Sequence, residues 1–97
     1  MTAVEALPFN TDLGYPQKQA VIINGIAYTA YYRWNPEDGG FTILKIVRNL
    51  DAAIVCNTRI ENLTPVRAMD PVTKILQFVA LPYLITSSSC EVWVFHD

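Results

Sequence analysis

This chain is poor in the residues that perform chemistry. It holds one histidine and two cysteines, at spacings that match no zinc site and no redox pair. A Cys–His nucleophile would need Cys56 or Cys90 within hydrogen-bond reach of His96. Cys90 and His96 share one predicted strand and stand about 20 Å apart in extended chain. Direct pairing is excluded on that strand, and a solvated histidine is expected.

Charge is scarce as well. Only 16% of residues are charged, against about 25% in ordinary domains. The basic residues Lys18, Arg33, Lys45, Arg48, Arg59, Arg67 and Lys74 come singly along the chain. No basic stripe is visible, so no nucleic-acid partner is expected. Tyr31, Tyr32, Arg33 and Trp34 resemble a base-stacking platform, but aromatic residues in a strand are more commonly core.

The acids Glu37, Asp38, Asp51, Glu61 and Asp70 fall mostly in predicted turns, where carboxylates accept hydrogen bonds from backbone N–H groups. They form no legible pair for glycoside hydrolysis. No phosphate loop, dinucleotide fingerprint or nucleophile elbow occurs. Asn62-Leu63-Thr64 matches a glycosylation acceptor, but Pro65 follows it and the match is chance. The expectation is a protein without catalytic residues, cofactor or metal.

Long apolar runs are missing too. Ile75 to Ile85 is too short to span a bilayer and is broken by Pro82. Met1 to Pro8 lacks the charged and apolar regions of a signal peptide. A soluble chain made in the cytosol, without a membrane partner, is expected. Its cysteines are then free buried thiols by default. A disulfide would require their strands to be neighbours, which sequence does not show.

What is abundant is apolar surface, at 52% of residues in a chain of 97. A single domain of this size buries roughly 60 to 65% of its unfolded surface. The apolar surplus favours a subunit of an assembly, because large exposed apolar patches mark interaction sites.

Turn signals divide the chain into strands. Residues 1–16 hold two prolines and a glycine and form an expected extended arm, with an edge strand near Leu7 to Phe9. Residues 17–97 form the expected β domain. Gln17 to Ile23 and Ile26 to Trp34 flank Asn24-Gly25, the strongest short hairpin signal, since a type I′ turn needs positive φ at both central residues. Pro36 and Asp38-Gly39-Gly40 mark a longer turn before Phe41 to Arg48.

That third strand is apolar on both faces, with Phe41, Ile43 and Val47 opposite Leu44 and Ile46, which predicts cover on both sides. Ala52 to Ile60, Ile75 to Leu81 and Glu91 to Phe95 are further strands. Between them Glu61 to Thr73 is a candidate functional loop, with Val66 to Met69 as one turn of helix. The fold class is all-β: a small antiparallel sandwich or barrel of about six to seven strands with little helix. Expected core residues are Ile22, Tyr32, Trp34, Ile43, Val47, Ile54, Val92 and Val94.

Several segments together resemble a family of small phage-tail proteins, the baseplate plug proteins of contractile-tailed phages. They are Leu7-Pro8-Phe9-Asn10, the Asn24-Gly25 hairpin, Tyr32-Arg33-Trp34-Asn35, the strand Phe41 to Val47, the Asn49 to Asp51 turn, and Ala52 to Leu63. Arg33-Trp34-Asn35 is the distinctive string. Family members often carry a glycine shortly after the Asp turn, where this chain has Ala52-Ala53.

The resemblance implies a virion structural protein at the baseplate axis that helps close the tail tube near the spike. It implies symmetric copies, threefold or sixfold, assembled in the host cytoplasm and contacting hub, spike and tail-tube proteins. Expected interface residues are Phe9, Tyr15, Arg33, Arg67, Met69 and Tyr83. A second reading is a small β-barrel adaptor that recognises a peptide or a carbohydrate.

Overall fold

Strand-forming residues occupy most of the chain. In the computed structural model, which describes residues 3–97, they build eight strands in two antiparallel four-stranded sheets. The strands are β1 (Ala3–Ala6), β2 (Gln17–Ile23), β3 (Ile26–Asn35), β4 (Phe41–Arg48), β5 (Ala53–Ile60), β6 (Val66–Met69), β7 (Leu76–Ile85) and β8 (Cys90–His96). One sheet runs β2-β3-β4-β5 and the other β1-β8-β7-β6. The two pack face to face as a sandwich.

Local chemistry sets the first sheet. Asn24 and Gly25 have φ of 52° and 77°, the left-handed pair that a two-residue hairpin requires. That turn pairs Ile23 with Ile26 and carries the register unbroken to Gln17 opposite Tyr32. With β4 added, the stretch from Val21 to Val47 is the expected antiparallel meander.

The eight strands exceed the expected six to seven, and two of them depart from expectation. β1 pairs with β8, Ala3 opposite His96 and Ala6 opposite Trp93. The N-terminal segment is therefore part of a sheet, and its strand lies earlier than Leu7 to Phe9. Leu7 follows it into the core, donating its N–H to the Val92 carbonyl at 2.9 Å. The first two residues of the expected arm lie outside the described residues. Val66 to Met69 is strand β6, paired with β7, and not a turn of helix. So short a piece between two prolines gains more hydrogen bonds from a neighbouring sheet edge than from itself.

Pro82 sits inside β7, tolerated because β6 pairs no further along β7 than Ala80. The Pro82 carbonyl accepts instead from Leu63 N–H at 2.6 Å. Tyr83 is passed over between Pro82 and Leu84 as a bulge.

The shared core contains Leu7, Ile23, Tyr28, Ala30, Tyr32, Leu44, Ile46, Val55, Ile60, Phe78, Val92 and Val94. Full burial of each large apolar side chain contributes about 1.5 to 3 kcal/mol. Of the expected core, Tyr32, Val92 and Val94 are buried. Trp34, Ile43 and Val47 are half-buried, while Ile22 and Ile54 are 65% and 44% exposed.

The reason is pleat parity. Tyr28, Ala30 and Tyr32 face inward, so Ile22, opposite Ala27, faces outward. A bulge between Ile46 and Val47 leaves Val55 as the extra residue. It places Val55 and Cys56 both inside and turns Ile54, opposite Val47, outward. A one-residue slip moves a side chain to the other face.

Ala52, in the turn between β4 and β5, has a φ of 57°. A Cβ-bearing residue pays strain there that glycine does not. Ala52→Gly is expected to stabilise the fold by about 0.5 to 1 kcal/mol, as read from the midpoint of urea unfolding.

Candidate interaction faces

Four aromatic side chains close one end of the sandwich. Phe9 lies 5.2 Å from Tyr15 and 5.1 Å from Tyr32 between ring centroids, and Tyr15 lies 5.8 Å from Trp34. The hydroxyls anchor the cluster. Tyr32 donates to the Pro8 carbonyl at 2.6 Å. Tyr15 donates to the Ser89 carbonyl at 2.9 Å and accepts from buried Thr42 at 2.9 Å. Burial raises the pKa of both phenols well above the usual tyrosine value, which keeps the hydroxyls protonated as donors. Phe9 and Tyr15, expected at an interface, are engaged within their own molecule.

A second polar cluster locks the β4–β5 turn to the loop after β6. Arg48 grips Asp51 with Nε and Nη2 at 2.9 and 2.7 Å, and reaches Asp70 at 2.6 Å. Asp70 also accepts from the N–H groups of Val72 and Thr73, each at 2.8 Å. The Thr73 N–H, the Arg48 guanidinium and the Val72 N–H hold the Asp70 carboxyl far below the usual carboxylate range.

The folded protein binds that proton less tightly than the unfolded chain, whose value is near 3.8. Stability from Asp70 is therefore fully present above that value and is lost as pH falls toward the folded one. Melting temperature is expected to hold from pH 7 to 5 and to drop steeply below pH 4. Asp70→Asn, which keeps an acceptor oxygen, should flatten the drop while lowering the melt at pH 7. An identical acid limb in that variant would refute the assignment.

Cys56 and Cys90 are buried, unbonded thiols, and burial pushes both up to about 11. His96 is not solvated: its Nε2 lies 3.0 Å from Glu5 Oε2 and its side chain is 9% exposed. Among the described residues, no group of three or more His, Cys, Asp or Glu is placed to hold a metal ion. No helix among them is long and apolar enough to cross a membrane.

The outer faces of the sheets are where surface remains. On the second sheet, register places Val4, Val79, Leu81, Trp93 and Phe95 side by side, with Leu84 opposite Glu91 and Arg67 opposite Val79. Val4, Leu84 and Trp93 are exposed. Of the other expected interface residues, Arg67 and Tyr83 are exposed on this sheet and Met69 is partly buried. Arg33 is exposed on the opposite sheet. The six do not form one patch.

On the first sheet the outward row Lys18–Tyr31–Lys45–Asn57 lies beside the row Arg33–Ile43–Arg59. Residues scattered in sequence thus form a basic cluster that a scan for consecutive charges misses. The readable signal was the hairpin: a two-residue Asn24-Gly25 turn already sets Lys18 opposite Tyr31.

These features define an eight-stranded antiparallel β sandwich with two exposed outer faces, one apolar and one apolar and cationic. Compared with family models, curated proteins and solved structures, the chain matches none of them.

Proposed function

We propose that the protein is a non-enzymatic structural subunit of a contractile phage-tail baseplate, a plug or hub-associated protein that helps close the tail tube near the spike. The observation that carries this reading is the outer face of the second sheet. Val4, Leu84 and Trp93 stand exposed there beside Val79, Leu81 and Phe95. An apolar sheet face of this kind suits permanent burial against another subunit. The resemblance carried by Arg33-Trp34-Asn35 and its flanking strands supplies the tail context.

In this role the fold supplies rigid shape. Two sheets share one core, the aromatic cluster seals an end, and the Arg48–Asp51–Asp70 network fixes a loop. Repeated copies around the tail axis would bury the apolar face on the hub, the spike or the tube.

The test is co-expression with the hub, spike and tail-tube proteins of a contractile tail from the same genome, followed by size-exclusion chromatography. The chain is expected to enter a complex in several copies. Elution as a lone monomer in every combination, together with infective tails after deletion of its gene, would overturn the reading.

A further inference from the structure

We propose that the outer face of the β2-β3-β4-β5 sheet docks an acidic protein surface, one that presents carboxylates among apolar side chains. The four strands carry Lys18, Arg33, Lys45, Arg48 and Arg59, which is five of the seven basic residues, and none of the nine acids. Arg48 is committed to Asp51 and Asp70. The other four point outward from one face of a protein whose net charge is −2.

Their spacing concentrates the field. Lys18 and Lys45 stand on either side of Tyr31 in one row, and Arg33 and Arg59 flank Ile43 in the next. Residues two strands apart are about 10 Å from each other, near one Debye length at physiological salt. Like charges at that distance repel, and a carboxylate seated between them relieves the repulsion.

Among the described residues, Lys18, Arg33 and Lys45 make no ion pair, and Arg59 meets Glu61 only at 3.5 Å. Tyr31, Arg33, Ile43, Lys45 and Asn57 line a shallow hollow of about 270 Å³ between the cations.

Two observations favour a protein over a nucleic acid. First, each aromatic ring of this face already carries one of the cations against it, although Tyr31 stays 39% exposed. Lys45 Nζ lies 5.6 Å from the Tyr31 ring centroid, and the Arg59 guanidinium lies 4.4 Å from that of Phe41. Base stacking needs open ring faces. Second, Ile22 and Ile54 are 65% and 44% exposed on the same sheet face as the cations, and Val47 lies between Ile54 and Thr29. Phosphates gain nothing from isoleucine. A protein partner uses both, burying the apolar residues and matching the cations with carboxylates that set orientation and encounter rate. The asymmetry belongs to the fold alone, so this docking surface stands or falls independently of the tail assignment.

The test uses the full chain and three labelled probes: a 15-residue peptide alternating glutamate with aliphatic residues, the same peptide with lysine for glutamate, and a thymidine oligonucleotide of equal charge. At 50 mM salt the glutamate peptide is expected to bind saturably and to outbind the oligonucleotide at least tenfold. Arg33→Glu/Lys45→Glu should weaken that binding at least tenfold and create binding of the lysine peptide. Arg33→Gln/Lys45→Gln should weaken the first without creating the second. Circular dichroism melts serve as a fold control, since both side chains project to solvent. Tighter binding of the oligonucleotide, no binding of the glutamate peptide, or binding unchanged by charge reversal would overturn the proposal.

Discussion

Tyr32→Ala is expected to cost about 3 to 5 kcal/mol, the range for deleting a fully buried aromatic side chain. Tyr32 is 1% exposed and meets Phe9 edge-on, with centroids 5.1 Å apart and planes at 86°. Its hydroxyl donates to the Pro8 carbonyl at 2.6 Å. The same ring thus fills the core and ties the N-terminal segment to β3.

A domain of 97 residues has about 5 to 15 kcal/mol of stability in all, so the variant should be largely unfolded near physiological temperature if the parent lies at the low end. Tyr32→Phe keeps the ring and leaves the Pro8 carbonyl without its donor, at a cost of about 1 to 2 kcal/mol. Urea titrations of both variants give the comparison. In hydrogen exchange, Leu7 N–H should lose protection before the strand pairs of the first sheet. A loss below about 1 kcal/mol for Tyr32→Ala would mean that the ring does not hold the core.

Gly40→Ala is expected to be nearly as costly, for two separate reasons. Gly40 has φ of 95° and ψ of 136°, a region that residues with a Cβ rarely occupy, at about 1 to 3 kcal/mol. A Cβ there would also overlap Cζ2 of the Trp34 ring and stand 2.8 Å from Cη2. Overpacking of this kind costs about 1 to 3 kcal/mol more.

The indole cannot retreat freely, because Tyr15 packs against it. A double-mutant cycle with Trp34→Ala separates the contributions, since removing the indole abolishes the overlap and leaves the backbone strain. Gly40→Ala should cost about 2 to 6 kcal/mol in the parent and at least about 1 kcal/mol less beside Trp34→Ala. Equal costs in both backgrounds would show that the ring does not press on this turn.

Much of the fold was legible in the residues. β2 and β4 span the expected ranges, and β3, β5, β7 and β8 differ from expectation only at their ends. Their boundaries carry turn chemistry that acts locally, such as Asn24-Gly25 and Asp38-Gly39-Gly40. β1 and β6 were not legible, being four residues each and lacking any alternation strong enough to stand alone. Their pairing with β8 and β7 makes them strands. The aromatic cluster was half legible: Phe9 and Tyr15 were marked as special, but for a partner and not for their own core.

The sequence by itself determined an all-β domain with an antiparallel meander at its centre, because hairpin turns and strand propensity act over a few neighbouring residues. It determined also that apolar surface would be in surplus, since composition alone sets that balance. Only the tertiary structure decided which apolar residues are spare. The bulge at Val55 reverses the parity of β5 and exposes Ile54, and inward-facing β3 turns Ile22 out. It alone gathered Lys18, Arg33, Lys45 and Arg59 on one face. Facing and adjacency depend on register between strands, and register comes from pairings that join residues far apart in the chain.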